Sequence, residues 1–156
     1  MKTKRFLIGV ISSAMLFLCG CGESKELTAF RTSFDSFCTS VSEIDNSINS
    51  IDASAEDASW QLLSLLDDLD VKFQELAALK VPKQFAYIEN LADEASENMT
   101  LAVENYHTAF ESEFYDSNAA DIASQYYERA YKRVQYMITF MHGEVPDDEN
   151  VQLLEE

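Results

Sequence analysis

Glycine and proline are nearly absent from this chain, four and two in 156 residues. Beyond position 21 only Gly22, Gly143, Pro82 and Pro146 remain. Phosphate-cradling loops, nucleophile elbows and tight hairpins all need glycine where the backbone turns sharply or approaches a ligand, so those motifs are missing. A 120-residue span, 23–142, with one proline and no glycine reads as helix. Histidine is scarce as well, with only His107 and His142. Di-metal helical bundles use Glu-x-x-His on two helices. Glu104 and His107 match that spacing once, whereas His142 has Thr139 three residues before it. No Cys/His spacing suits zinc. Two histidines on helix flanks give little basis for a Ser/His/Asp or Cys/His triad. No metal, cofactor or catalytic residue is therefore assigned, and the chain is not read as an enzyme.

Positive charge is the other shortage: 11 bases against 28 acids. Three of those bases, and none of the acids, lie in the first 20 residues. The remainder carries eight bases and 28 acids, a net charge of −20. Nucleic acid is excluded as a partner, because its phosphates need Lys and Arg. The 136 residues from Cys21 onward suit one domain, which buries roughly two-thirds of its unfolded surface.

The N-terminus does carry positive charge, at Lys2, Lys4 and Arg5, followed by an uncharged 13-residue run, Phe6 to Leu18. A bilayer span needs about 20 apolar residues, so this run has the length of a signal-peptide core instead. It ends in Leu18-Cys19-Gly20-Cys21. A cut before Cys19 would leave the large Leu18 at the last position, whereas a cut before Cys21 leaves Gly20 there. The segment resembles the lipobox of bacterial lipoproteins: Leu, a variable residue, Gly or Ala, then Cys. The resemblance covers the first 21 residues. It implies that residues 1–20 are removed and that Cys21 carries a thioether-linked diacylglycerol as the mature N-terminus. It further implies a lipid-anchored protein on the extracytoplasmic face of the bacterial cell membrane. One acyl chain holds marginally and two or more hold stably. The tether, 21–25, is short; Gly22 to Lys25 reach about 14 Å at most. Cys38 then has no partner in the chain and is expected as a free, half-buried thiol, with no disulfide framework.

Four helices are predicted between 26 and 143. In the first, to about Asn49, Leu27, Phe30, Phe34, Phe37, Val41, Ile44, Ile48 and Ile51 step alternately by three and four. That heptad seam is the signature of bundle packing. The second opens at Ser54, with Asp57 three residues on as a loose capping box. Its face is Ala58, Leu62, Leu65, Leu66, Leu69, Phe73 and Leu76. Pro82 starts the third, where a missing N–H costs nothing. Its face runs from Phe85 and Ile88 through Ala92, Ala95, Met99, Ala102, Val103 and Tyr106 to Phe110. A break at 116–118 precedes the fourth, with Ala119, Ala123, Tyr127, Ala130, Val134, Met137, Ile138 and Met141 inward. Gly143 is its expected C′ residue. Short connections make neighbours antiparallel. The fold expected is all-α, an up-down-up-down four-helix bundle, with an acidic flexible tail at 144–156.

That topology turns the charge list into a map. No base lies between Arg31 and Lys72, or between Lys83 and Arg129. One end of the bundle thus carries Glu43, Asp45, Asp52, Glu56, Asp57, Glu104, Glu111, Glu113, Asp116, Asp121 and Glu128 unopposed. It is either a solvated face or a docking surface for a cationic partner. Trp60 lies nearly opposite Leu62 at 100° per residue. With Phe114 and Tyr115 it either anchors a partner or folds over the bundle end. The candidate partner face is Glu56, Asp57, Trp60, Glu113, Phe114, Tyr115 and Asp116. On the fourth helix Tyr136 and Phe140 lie opposite Val134, beside Arg129, Lys132 and Arg133. Those five residues form a candidate membrane-surface face, unless the tail or a second subunit covers it. Tyr106, Tyr126, Tyr127 and Tyr131 face alanines of helices three and four, as core packing or as the wall of a pocket. The functional expectation is a non-catalytic binding or adaptor module, docking a protein or other cationic partner at its acidic end. The alternative is a receptor for a small ligand or cation, using the interior between helices three and four.

Overall fold

A computed structural model describes residues 24–144. Cys19, Cys21, the signal-like segment and the tail from 145 lie outside the described residues. Four α-helices form the domain: α1 Lys25–Asn49, α2 Ala58–Ala77, α3 Glu89–Glu111 and α4 Ser117–Met141. A 3₁₀ turn, Lys83–Ile88, leads into α3. The fold is an all-α four-helix bundle. No helix among the described residues is long and apolar enough to cross a membrane.

Local chemistry sets the helix ends. Ser24 caps α1, its hydroxyl accepting the Leu27 N–H at 3.2 Å. Asp116 caps α4, accepting the N–H groups of Asn118 and Ala119 at 2.9 and 3.1 Å. Such caps satisfy amides that have no partner within the helix. Gly143 ends α4 at φ +78°, with its N–H on the Phe140 carbonyl and that of Glu144 on Thr139. This is the double bond of a Schellman motif, and glycine takes the left-handed turn without a Cβ clash. The expected Ser54/Asp57 capping box does not form. Ser54 turns back to Asp52, which accepts both its N–H and its hydroxyl, and α2 starts only at Ala58. Pro82 likewise precedes a 3₁₀ turn, because Phe85 sits at φ −118°, ψ 18° and breaks the helical path.

Interhelix contacts pair rising residue numbers with falling ones. Asp70 and Asp67 of α2 meet Thr100 and His107 of α3. Tyr87 and Glu94 meet Phe140 and Arg133 of α4. Near the other end of α2, Lys80 reaches Glu26 at the start of α1. This order is compatible with an up-down-up-down bundle.

The seam of α1 is core from Leu27 to Val41; Ile44 and Ile48 pack half-buried against it. Phe34, Leu69, Phe73, Leu76, Ile88, Met99 and Met137 are fully enclosed. On α2 the buried face includes Leu63 in place of the expected Leu62 and Leu65, which are half-buried. A line of rings runs up the interior: Phe30, Phe34, Phe37, Phe73, Tyr131 and Tyr127, with successive centroids 4.7–6.2 Å apart. Buried alanines of α3 (Ala95, Ala102, Ala109) and α4 (Ala119, Ala123, Ala130) let those two helices pack closely. By contrast, no Cα of α1 comes within 8 Å of one in α4.

Candidate functional site

That wider spacing between α1 and α4 is bridged by side chains. Asp45 is buried at 7% exposure. Its Oδ1 accepts the hydroxyls of Tyr127 at 2.8 Å and Tyr131 at 2.6 Å. The two tyrosines are one helical turn apart and stacked, centroids 4.7 Å apart, so both hydroxyls reach one oxygen. With both protons given to Asp45, the 3.1 Å pair between the tyrosine oxygens has none left to share. Burial pushes the Asp45 carboxyl above its ordinary range, against the two donors, which favour the charged form. Burial also raises both tyrosine hydroxyls, so they stay protonated donors.

Beyond Tyr127 the space between helices is not filled. A cavity of about 510 Å³ opens there. Its walls come from the end of α1 (Ile48, Asn49), the start of α2 (Leu62, Leu66) and the end of α3 (Tyr106, Phe110). Tyr115 and the first turns of α4 (Ala120, Asp121, Ser124, Tyr127) complete it. Small residues at 120 and 124 leave the room, while the tyrosines and Phe110 supply aromatic walls. The hydroxyl of Tyr106 lies beside Ser124, and burial raises its pKa. Pockets for small ligands commonly hold about 300–1,000 Å³, mostly apolar with a few polar groups. No basic side chain lines this one.

At the same end of the bundle stand the residues expected as a partner face, of which only Tyr115 lines the cavity. Trp60 is 70% exposed and Phe114 80%, so neither folds over the bundle end. Tyr115 is 60% exposed, yet it packs on Phe110 and lines the cavity. Glu56, Asp57 and Glu113 are exposed. Asp116 is half-buried as the α4 cap, so its carboxylate serves the fold. Asp45, expected among the unopposed surface acids, is instead the buried centre of the tyrosine network.

The candidate membrane-surface face needs correction. Tyr136 and Phe140 belong to the core, at 6% and 8% exposure. Tyr87 of the 3₁₀ turn packs edge-on against Phe140, centroids 5.2 Å apart, and covers that flank of α4. Lys132 and Arg133 lie over the Tyr136 ring, and Arg129 lies over Tyr126. Arg133 also pairs with Glu94. These bases lie over rings of their own domain, the buried Tyr136 and the half-buried Tyr126, and the apolar half of the expected face is not on the surface.

Two further groups stand apart from the cavity. His107 is held between Asp67 at 2.9 Å and Glu111 at 3.0 Å. Carboxylates only accept, so both ring nitrogens must donate; Asp67 foremost, with Glu111, raises the imidazole pKa. This arrangement, rather than a metal site with Glu104, occupies the Glu-x-x-His motif. Cys38 is free and half-buried, as expected. Burial, reinforced by the charge of Asp35, pushes its thiol up to about 12, which leaves it protonated and poorly nucleophilic at neutral pH.

Sequence reasoning placed Asp45 and Asp121 only among the acids of one end, and it did not single out Ser124. A signal for Asp45 existed: it falls four residues after Val41 and three before Ile48, on the flank of the core seam. Comparison with protein-family models, curated proteins and solved structures finds no match to this chain.

Proposed function

We propose that this protein is a lipid-anchored, extracytoplasmic, non-catalytic binding module that takes a small ligand into the cavity at the acidic end of its bundle. The observation carrying this reading is the cavity itself, about 510 Å³ of aromatic and aliphatic wall with a few convergent polar groups. The lipobox-like Leu18-Cys19-Gly20-Cys21 supports the anchor at Cys21. An anchor at that position tethers the start of α1, so the cavity, at the opposite end, faces away from the membrane. The buried network of Asp45, Tyr127 and Tyr131 gives the floor of the cavity a fixed shape, as preorganised sites require. A thermal-shift screen of the purified protein with a chemically mixed fragment panel tests this. A ligand at 100 times its Kd should add about 2.7 kcal/mol of stability. A panel with no saturable response would remove the reading.

One observation favours a second reading. Trp60 and Phe114 stand exposed among Glu56, Asp57 and Glu113, at the end where bases are missing. Aromatic anchors within acidic surroundings suit a basic, amphipathic protein partner. Binding of a lysine-rich amphipathic peptide should then weaken on Trp60→Ala and fall steeply with salt.

A further inference from the structure

Resting on the cavity reading, we infer that the ligand is an organic cation, an amine or quaternary ammonium compound bearing an apolar group. Four aromatic rings line the space: Tyr106, Phe110, Tyr115 and Tyr127. Ring faces attract a cation through their quadrupole, and Tyr and Phe both serve in this role. The lining holds one ionisable group of fixed sign, Asp121, whose carboxylate stands at the rim. Asp45 lies directly beneath, bonded to the Tyr127 hydroxyl. No Lys or Arg lines the cavity, and none occurs in 32–71 or 84–128, which supply all of its wall. The one fixed charge in the lining is therefore negative, with no base there to oppose it, and low-dielectric walls focus its field into the opening. A carboxylate or phosphate ligand would meet no counter-charge there. A bare metal ion is equally ill-served, since the walls are mostly carbon and no group of three or more His, Cys, Asp or Glu side chains is arranged to hold one among the described residues. An apolar body suits Leu62, Leu66 and Phe110, and the cationic head suits the tyrosines and Asp121.

The test compares three benzyl-bearing probes, the first two matched in shape, on the purified full chain. These are benzyltrimethylammonium, its uncharged carbon isostere neopentylbenzene, and the anion phenylacetate. The ammonium compound should raise the unfolding temperature saturably and bind at least ten-fold more tightly than the neutral isostere, with no response to phenylacetate. Asp121→Asn and Tyr115→Leu should each weaken the ammonium compound by ten-fold or more, with cooperative melting of the unliganded variants retained. Glu56→Gln, at the same end but outside the lining, should leave its affinity within two-fold. Equal or tighter binding of the neutral isostere or the anion would overturn the cation assignment while leaving the cavity as a binding site. Loss on Glu56→Gln with no loss on Asp121→Asn would overturn it too, by showing diffuse surface attraction. No response to any of the three, nor to the mixed fragment panel, would sink the cavity reading itself.

Discussion

At the scale of single residues, Asp45 has the largest consequences. Its two tyrosine donors need an acceptor, and removing it by truncation would strand both hydroxyls in the interior. Its charge, however, is disfavoured by burial, so its folded pKa lies above the ordinary carboxylate value. The linkage sign follows. Below about pH 4 both folded and unfolded chains hold the proton. As pH rises from there towards the raised folded value, only the unfolded chain ionises, and stability is lost. Asp45→Asn keeps the accepting oxygen and carries no titrating proton. Unfolding midpoints at pH 4 and pH 7 should therefore show the variant gaining on the native protein as pH rises. A difference independent of pH would mean that Asp45 ionises as freely inside the bundle as outside. The periodicity of α1 identified Phe34 and Phe37 correctly but passed over Asp45, because residue type outweighed position. Carboxylates are almost never buried unless paired, and the pairing partners lie 82 and 86 residues away in sequence.

At the scale of elements, the seam of α1 and the small-residue faces of α3 and α4 were legible because each recurs at helical spacing over many turns. Phe34 is fully enclosed and touches Phe30 and Phe37 on its own helix, so it closes the central part of the core. Phe34→Ala should cost roughly 3–5 kcal/mol in denaturant unfolding, the usual range for a buried phenylalanine. A loss under about 1 kcal/mol would mean that the seam is not the core. The 3₁₀ turn before α3 was not legible. Pro82 can open an α-helix or a tighter turn, and Phe85 leaves the helical path. Once the chain kinks, Tyr87 reaches Phe140 and Phe85 reaches Phe30, with centroids 5.2 and 6.4 Å apart. A straight helical wheel cannot register that cover. It therefore places Phe140 outside the core, and it treats Tyr136 as a surface ring although Lys132 and Arg133 close over it.

At the scale of the whole molecule, the sequence pointed to one acidic end but not to the hollow within it. Charge distribution along a bundle follows from topology alone. A cavity depends on how far α1 stands from α4, and no local pattern encodes that distance. The anchor can be tested apart from the cavity. Clickable fatty-acid label should be retained in Cys19→Ala and lost in Cys21→Ala; the reverse would move the lipid to Cys19. The claim joining these parts is that ligands enter between the four helices at the acidic end. The most direct measurement is a binding isotherm for benzyltrimethylammonium, or the strongest binder from the mixed panel, on the native protein and Ala120→Phe side by side. Ala120 lines the cavity and is half-buried, so a phenylalanine there fills the space from its wall. The account predicts at least a ten-fold loss of affinity, with the helical content and cooperative melting of the variant retained. Undiminished binding to that variant would contradict it, because the ligand would then occupy another part of the surface.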